Sequence, residues 1–134
     1  GDSVRGVLVP RPGYDEPARD AFYATLAGIA ALLAHQGTIV VVPATAHRRK
    51  FRARARELCA ERYVEVFISV SEATARDRDT KGLYASGDVG QRPDLPGRGA
   101  TFEEPEAPDV VARGGRDEDA LRAALERIEL RLRA

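Results

Sequence analysis

VEVFISVSEATARDRDTKGLY, residues 64–84, decides the fold. Its opening, with Tyr63 in front, is a β-branched and aromatic run over residues 63–70, and it predicts a strand. Ser71 follows as a helix N-cap with Glu72 in the first turn, so the strand runs directly into a short helix. Outward from it, Thr38–Val42 (TIVVV) reads as a second strand, buried on both faces, and residues 109–112 as a third. Alanine- and leucine-rich residues 18–36 predict a helix closed by Gly37. Residues 47–61 carry Phe51, Ala55, Leu58 and Cys59 at helical spacing, and residues 117–133 carry a stripe of Leu121, Leu125, Ile128 and Leu132. Strands alternating with helices predict an α/β fold, a parallel sheet flanked by helices. Residues 1–17, rich in Gly and Pro, read as loop with one short turn. Residues 79–108 lose apolar periodicity and read as a long lid-like segment.

The 134 residues fit a single domain, 1–134, able to bury a core. Twenty-one basic and twenty-one acidic residues cancel, so net charge points to neither nucleic acid nor an anionic membrane. No apolar run reaches the roughly 18 residues of a membrane span. The lone Cys59 makes no internal disulfide, and no Cys/His cluster has metal-ligand spacing, so the expected setting is a reducing cytoplasm. No signal-peptide pattern opens the chain. The sequence contains no methionine, and Gly1 reads as a cut or trimmed end. The basic run His47–Arg52 reads as a solvated helix face rather than a nucleic-acid patch. His35 reads as a helix-end charge and Cys59 as core.

Residues 64–84 resemble a pattern of the adenylylsulfate kinase family, within the P-loop kinases: a strand, a short helix, then R-D-x-K-G-L-Y, here Arg78 to Tyr84. The spacing continues through Gly90, Gly97, Phe102-Glu103, Pro105 and Pro108, where the family has a Tyr-Glu-x-Pro-x-x-Pro run. Upstream, Gly1-Asp2-x-Val4-Arg5 is similar to the end of a D-G-D-x-x-R motif. Gly13-Tyr14 is similar to the family's next Gly-Phe, and Arg19 to the arginine opening its R-x-E-N helix. The resemblance implies a P-loop-kinase-like sheet lacking the first strand, the phosphate loop and the first helix, because no GxxGxGK[ST] motif occurs in these residues.

The activity implied is transfer of the ATP γ-phosphoryl group, with Mg²⁺, to the 3′-hydroxyl of adenylyl sulfate, in sulfate assimilation. The 134-residue chain by itself is expected to be inactive, and to aggregate or oligomerise in isolation. Asp2 would be the catalytic carboxylate near the attacking hydroxyl. Arg5 and Arg19 would hold the phosphosulfate with their planar donor forks. Tyr14 would stack on the adenine or serve as a partly buried loop tyrosine. Lys81, Gly82 and Leu83 would close over the substrate, and Arg76 and Arg78 would contact ATP. Gly97 and Phe102 read as lid architecture.

Several positions depart from the family. Ala21, Phe22, Ala24 and Thr25 stand where it has Glu-Asn and Arg-Arg, His47 where it has proline, Asp88 where it has a cation, and Leu95 where it has phenylalanine. Each lost contact costs on the order of 1–3 kcal/mol of ligand binding. Three readings therefore stand: the kinase itself, a catalytically silent regulatory module, and a kinase for another small hydroxylated acceptor. Fusion to or association with sulfate adenylyltransferase, and a homodimer, are the partner arrangements kept open.

Overall fold

The computed structural model describes residues 2–71, 74 and 101–133. Contacts gather in two compact units: Gly1–Tyr63 with Phe102–Glu104, and Val64–Thr101 with Pro105–Ala134.

The first unit is helical. α1 (Asp2–Val7) occupies the stretch read from its glycine and proline content as loop with one short turn. Propensity is a weak prior, and here tertiary contacts of Arg5, described below, override it. α2 (Glu16–His35) follows the expected helix closely. Asp15 caps it by accepting the Ala18 N–H at 2.9 Å, and Pro17 sits in the first turn, where a missing donor is harmless. Gly37, at φ +85°, supplies the left-handed residue after the C-terminus. His35 Nδ1–H donates to the Ala31 carbonyl at 2.8 Å, within its own helix.

α3 (Arg49–Cys59) packs on α2. The Tyr23 and Phe51 rings stack at 4.4 Å between centroids, and Phe22, Leu26, Ala27, Ala31 and Phe51 are buried. Burial of one such phenylalanine contributes roughly 2–3 kcal/mol. Two ion pairs run between the helices, Lys50–Asp20 at 2.6 Å and Arg48–Glu16 at 2.9 Å. Both are exposed and worth well under about 1 kcal/mol each. Cys59 is buried as expected, and burial pushes its thiol pKa up.

Thr38–Val42 does not form the expected strand. Its backbone pairs with no other strand among the described residues, and Ile39, Val41 and Val42 are exposed rather than buried on both faces. A β-branched run has strand character only when a neighbour satisfies its backbone groups.

The second unit carries the sheet. β1 (Val66–Ile68) and β2 (Val110–Ala112) pair in parallel, with Val66, Phe67 and Ile68 opposite Val110, Val111 and Ala112. The ladder is extended by Ser69 N–H to Ala112 O at 2.7 Å and Val110 N–H to Glu65 O at 3.1 Å. The strand expected over residues 63–70 is thus trimmed to the residues that find a partner. Beyond it, Ser71 Oγ accepts the Thr74 N–H at 3.1 Å, as an N-cap does. Gly114 and Gly115, both at positive φ, turn the chain from β2 into α4 (Glu118–Arg133). Asp117 accepts from the Arg113 and Ala120 amides at 2.9 and 3.0 Å, and those two bonds hold its carboxyl below the usual range.

Val110, Ala112 and Ala120 form the core of this unit, with Ala123 and Ala124 packed against it. α4 therefore buries an alanine face. The leucine stripe is present, but most of it is left in solvent. The parallel strand pair with α4 packed on β2 is of the expected α/β class.

Candidate functional site

The residues expected at the start of the chain to hold an anionic substrate lie in the first unit. Arg5, on α1, is only 6% exposed. Its Nη1 donates to Pro12 O at 3.1 Å and to Gly13 O at 2.7 Å. Its guanidinium carbon lies 3.9 Å from the Phe22 ring centre and 4.6 Å from that of Tyr14. A flat, weakly hydrated cation between two aromatic faces is a stable arrangement in a dry setting. Phe22 explains itself here: in place of a polar side chain on the second turn of α2, it supplies the surface on which Arg5 rests. Arg5 thus clamps the loop at residues 12–14 to α2, a role that motif matching did not anticipate.

Arg19 lies on the second turn of α2 and is half-buried. It stands close enough to His47 that its charge helps hold that imidazole neutral. Burial is the larger cause, and Arg48 and Arg52 add to it, against Glu103. His47 is 5% exposed and sits edge-on to Phe51, 5.6 Å between ring centres. Its expected place on a solvated basic face is therefore corrected. His47 lies just before α3 and is turned inward, where its carbonyl is bonded to a strap formed by residues 102–104.

The strap has a specific attachment. Glu103 N–H donates to His47 O at 2.8 Å, and Glu103 Oε2 accepts the Arg49 N–H at 2.7 Å, capping α3 where Arg48 offers no side-chain cap. Arg49 Nε donates to Glu104 O at 2.7 Å. The Arg52 guanidinium donates to the carbonyls of Ala46 and Glu103 and lies over the Phe102 ring. The Arg49 amide, and then the cations of Arg48, Arg49 and Arg52, hold the Glu103 carboxyl below its usual range. Phe102 thus helps fix the strap to α3 through Arg52. Sequence reasoning noted His47, Arg52 and Glu103 but did not bring them together; the hints were the density of arginine at residues 48–56 and the family-pattern match at Phe102-Glu103.

Asp2 opens α1; its side chain, and the residues Arg76, Arg78, Lys81, Gly82, Leu83, Asp88 and Leu95, lie outside the described residues. Arg5, Tyr14 and Arg19 are the expected site residues that the structure describes: Arg5 lies against Tyr14, and Arg19 stands beside His47. Chemically, Arg19, Arg48 and Arg52 set a wall of guanidinium charge around a neutral imidazole, while Tyr14, against Arg5, is partly exposed. Such a wall suits an anionic ligand with a flat ring.

The residues present do not fit a Mg²⁺–ATP phosphate site. No glycine-rich GxxGxGK[ST] loop occurs in the sequence, and no cluster of three carboxylate, histidine or cysteine side chains that could hold a metal occurs among the described residues.

Comparison with known proteins bears on the anionic ligand. The profile of the adenylylsulphate kinase family matches residues 1–113. An adenylyl-sulfate kinase of Bacillus licheniformis is 33% identical over 116 residues, covering 86% of this chain and 59% of that protein. A probable adenylyl-sulfate kinase of Pyrococcus abyssi is 32% identical over 123 residues, covering 90% and 70%. The Mycobacterium tuberculosis APS kinase, solved in complex with AMPPNP and APS, superimposes with a TM-score of 0.82 at 29% identity, over 96% of this chain and 76% of that one. The chain spans about three-fifths of the length of several curated relatives it matches. With a family profile matched over most of its length, and a parallel α/β fold shared with a solved member, this chain belongs to the adenylylsulfate kinase family.

Proposed function

We propose that this chain is the acceptor-binding part of an adenylylsulfate kinase acting in sulfate assimilation, and that the whole protein transfers the ATP γ-phosphoryl group to the 3′-hydroxyl of adenylyl sulfate. The observation that supports the reading is the packing of Arg5 against Tyr14 and Phe22, with Arg19 three residues before Phe22 on α2, in the order the family resemblance implies. The complex of the M. tuberculosis relative with APS and AMPPNP supports both substrates.

In this reading Arg19 orients the phosphosulfate and Tyr14 offers its face to the adenine. Arg5 acts one step back, fixing the backbone that presents Tyr14. Asp2 accepts the proton of the 3′-hydroxyl as its oxygen bonds to phosphorus and the bond to the ADP leaving group breaks. Lys81, Gly82 and Leu83 close on the anionic end of the acceptor, and Arg76 and Arg78 contact the nucleotide.

A second reading, a catalytically silent regulatory module, is favoured by one observation. Arg5 is already engaged with two carbonyls and two rings, and Phe22 fills the place of a polar substrate contact. Two measurements separate the readings. The first is calorimetric titration of this chain with adenylyl sulfate: Arg19→Ala is expected to weaken binding 10–100-fold, the loss of one charge-assisted contact of about 1.5–3 kcal/mol. The second is ATP-dependent 3′-phosphorylation by the whole protein, with Asp2→Ala as control. Turnover abolished by the control supports the kinase; binding without turnover supports the regulatory module. Failure to bind adenylyl sulfate at all sinks both and leaves a different acceptor.

A further inference from the structure

His47 is pinned through the peptides on either side of it. Ala46, just before it, takes a left-handed backbone conformation at φ +38°, uncommon for a residue with a Cβ. Two side chains fix that turn. Tyr23 Oη, on α2, accepts the Ala46 N–H at 3.1 Å, and Arg52, on α3, donates to the Ala46 carbonyl. The His47 carbonyl in turn accepts the Glu103 N–H at 2.8 Å. A turn bonded at three points keeps the imidazole inside, edge-on to Phe51.

Charged groups face this ring from each element around it: Arg19 from α2, Arg48 and Arg52 from the start of α3, and Glu103 from the strap. Three cations against one carboxylate leave an excess of positive charge, which opposes a proton on the ring. Arg48 is matched by Glu16 at 2.9 Å, and Arg52 is engaged by the carbonyls of Ala46 and Glu103. Arg19 is the cation to which the acceptor reading assigns the phosphosulfate. An anion on Arg19 reverses the balance, because its charge offsets the guanidinium that opposes an imidazolium, where burial weakens solvent screening. Of the groups in this cluster, the imidazole is the one whose ordinary titration range lets it answer by taking up a proton.

We infer that the acceptor site is proton-coupled: an anionic ligand on Arg19 and a proton on His47 bind together, each favouring the other. The proton comes from the solvent and returns there when the ligand leaves. The inference deepens the acceptor reading and rests on it, since it takes Arg19 as the anion's partner. Linkage makes the coupling reciprocal. Affinity for the anion rises as pH falls, by up to about tenfold per pH unit wherever His47 is neutral in the free chain and charged in the complex.

Calorimetric titration of the 134-residue chain with adenylyl sulfate tests it, run between about pH 5.5 and 8, where histidine changes charge and the ligand does not. In buffers of different ionisation enthalpy, the expected result is a binding heat that reports net proton uptake. Affinity should be at least about threefold higher at pH 6 than at pH 8, and His47→Gln should abolish both effects. The ring protons of the two histidines, followed by NMR, give a reading that needs no ligand. The His47 midpoint should move up in Arg19→Ala, because a facing cation is gone, and up in the native chain when adenylyl sulfate is added. Binding with neither proton uptake nor a pH slope would overturn the coupling and leave the acceptor reading standing. So would a His47 midpoint unmoved by Arg19→Ala. No binding at all would sink the acceptor reading. Sodium sulfate against sodium chloride at equal ionic strength then decides the coupling, which fails if the His47 midpoint is the same in both salts.

Discussion

Replacing Arg5 by alanine tests whether this residue is a clamp or a ligand-holding group kept at a cost to stability. The native guanidinium makes two charge-assisted bonds to Pro12 and Gly13 carbonyls, each worth about 1.5–3 kcal/mol. Its contacts with Phe22 and Tyr14 add about 0.5–2 kcal/mol together. Against these stands the desolvation of a buried cation, several kcal/mol. The balance, together with the void left between two rings, gives an expected loss of about 2–4 kcal/mol for Arg5→Ala. Arg5→Met retains the apolar stem between the rings and loses the donors, so its loss should be about half as large. The assay is urea unfolding followed by circular dichroism. With a slope of about 1.5 kcal/mol per molar, the alanine variant's midpoint should fall by roughly 1–3 M. A midpoint unchanged or raised in Arg5→Ala would refute the clamp. It would mean that the cation is held against the fold's preference, as binding residues often are.

Two further outcomes are expected. His47 has its pKa lowered below 6.5 in the folded chain, so between the folded value and 6.5 the unfolded chain binds more protons. Stability should be full above about pH 6.5 and fall as pH drops through that window; urea midpoints measured from pH 8 to 5 should show the slope, and His47→Gln should flatten it. Asp15→Ala removes the side-chain acceptor for the Ala18 amide and should cost about 1 kcal/mol in thermal unfolding, with Asp15→Asn close to neutral.

How much of this could be read from residues alone depends on whether the signal was local. α2 announced itself through its alanine- and leucine-rich residues 18–36 and Gly37, and α4 through its apolar stripe, because composition and periodicity are properties of neighbours in sequence. β2 was legible as a short β-branched run. Thr38–Val42 has the same composition but no strand, because a strand is defined by what lies beside it. α1 was hidden by Gly6 and by the glycines and prolines that follow, and is explained by an arginine reaching residues 12 and 13. At the site, the order of Arg5, Tyr14 and Arg19 was visible through motif resemblance. The inward turn of His47 was not, because it depends on Arg52 and Glu103, fifty-one positions apart. The leucine stripe of α4 was legible as a stripe, but periodicity does not say which side of a helix the sheet will take.

The attachment of residues 102–104 to α3 also has a kinetic meaning. Contacts between α2 and α3 join nearby parts of the chain, whereas the Arg52–Glu103 and Arg49–Glu103 bonds span fifty-one and fifty-four positions. Closing a loop of that length carries an entropic penalty of about 3.5 kcal/mol from the logarithmic term alone. The helical hairpin should therefore assemble early and the strap arrive last, after the intervening residues have collapsed. Mutations in the strap should speed unfolding while leaving the folding rate nearly unchanged. In that sense the strap sets how long the native state lasts rather than how quickly it is reached.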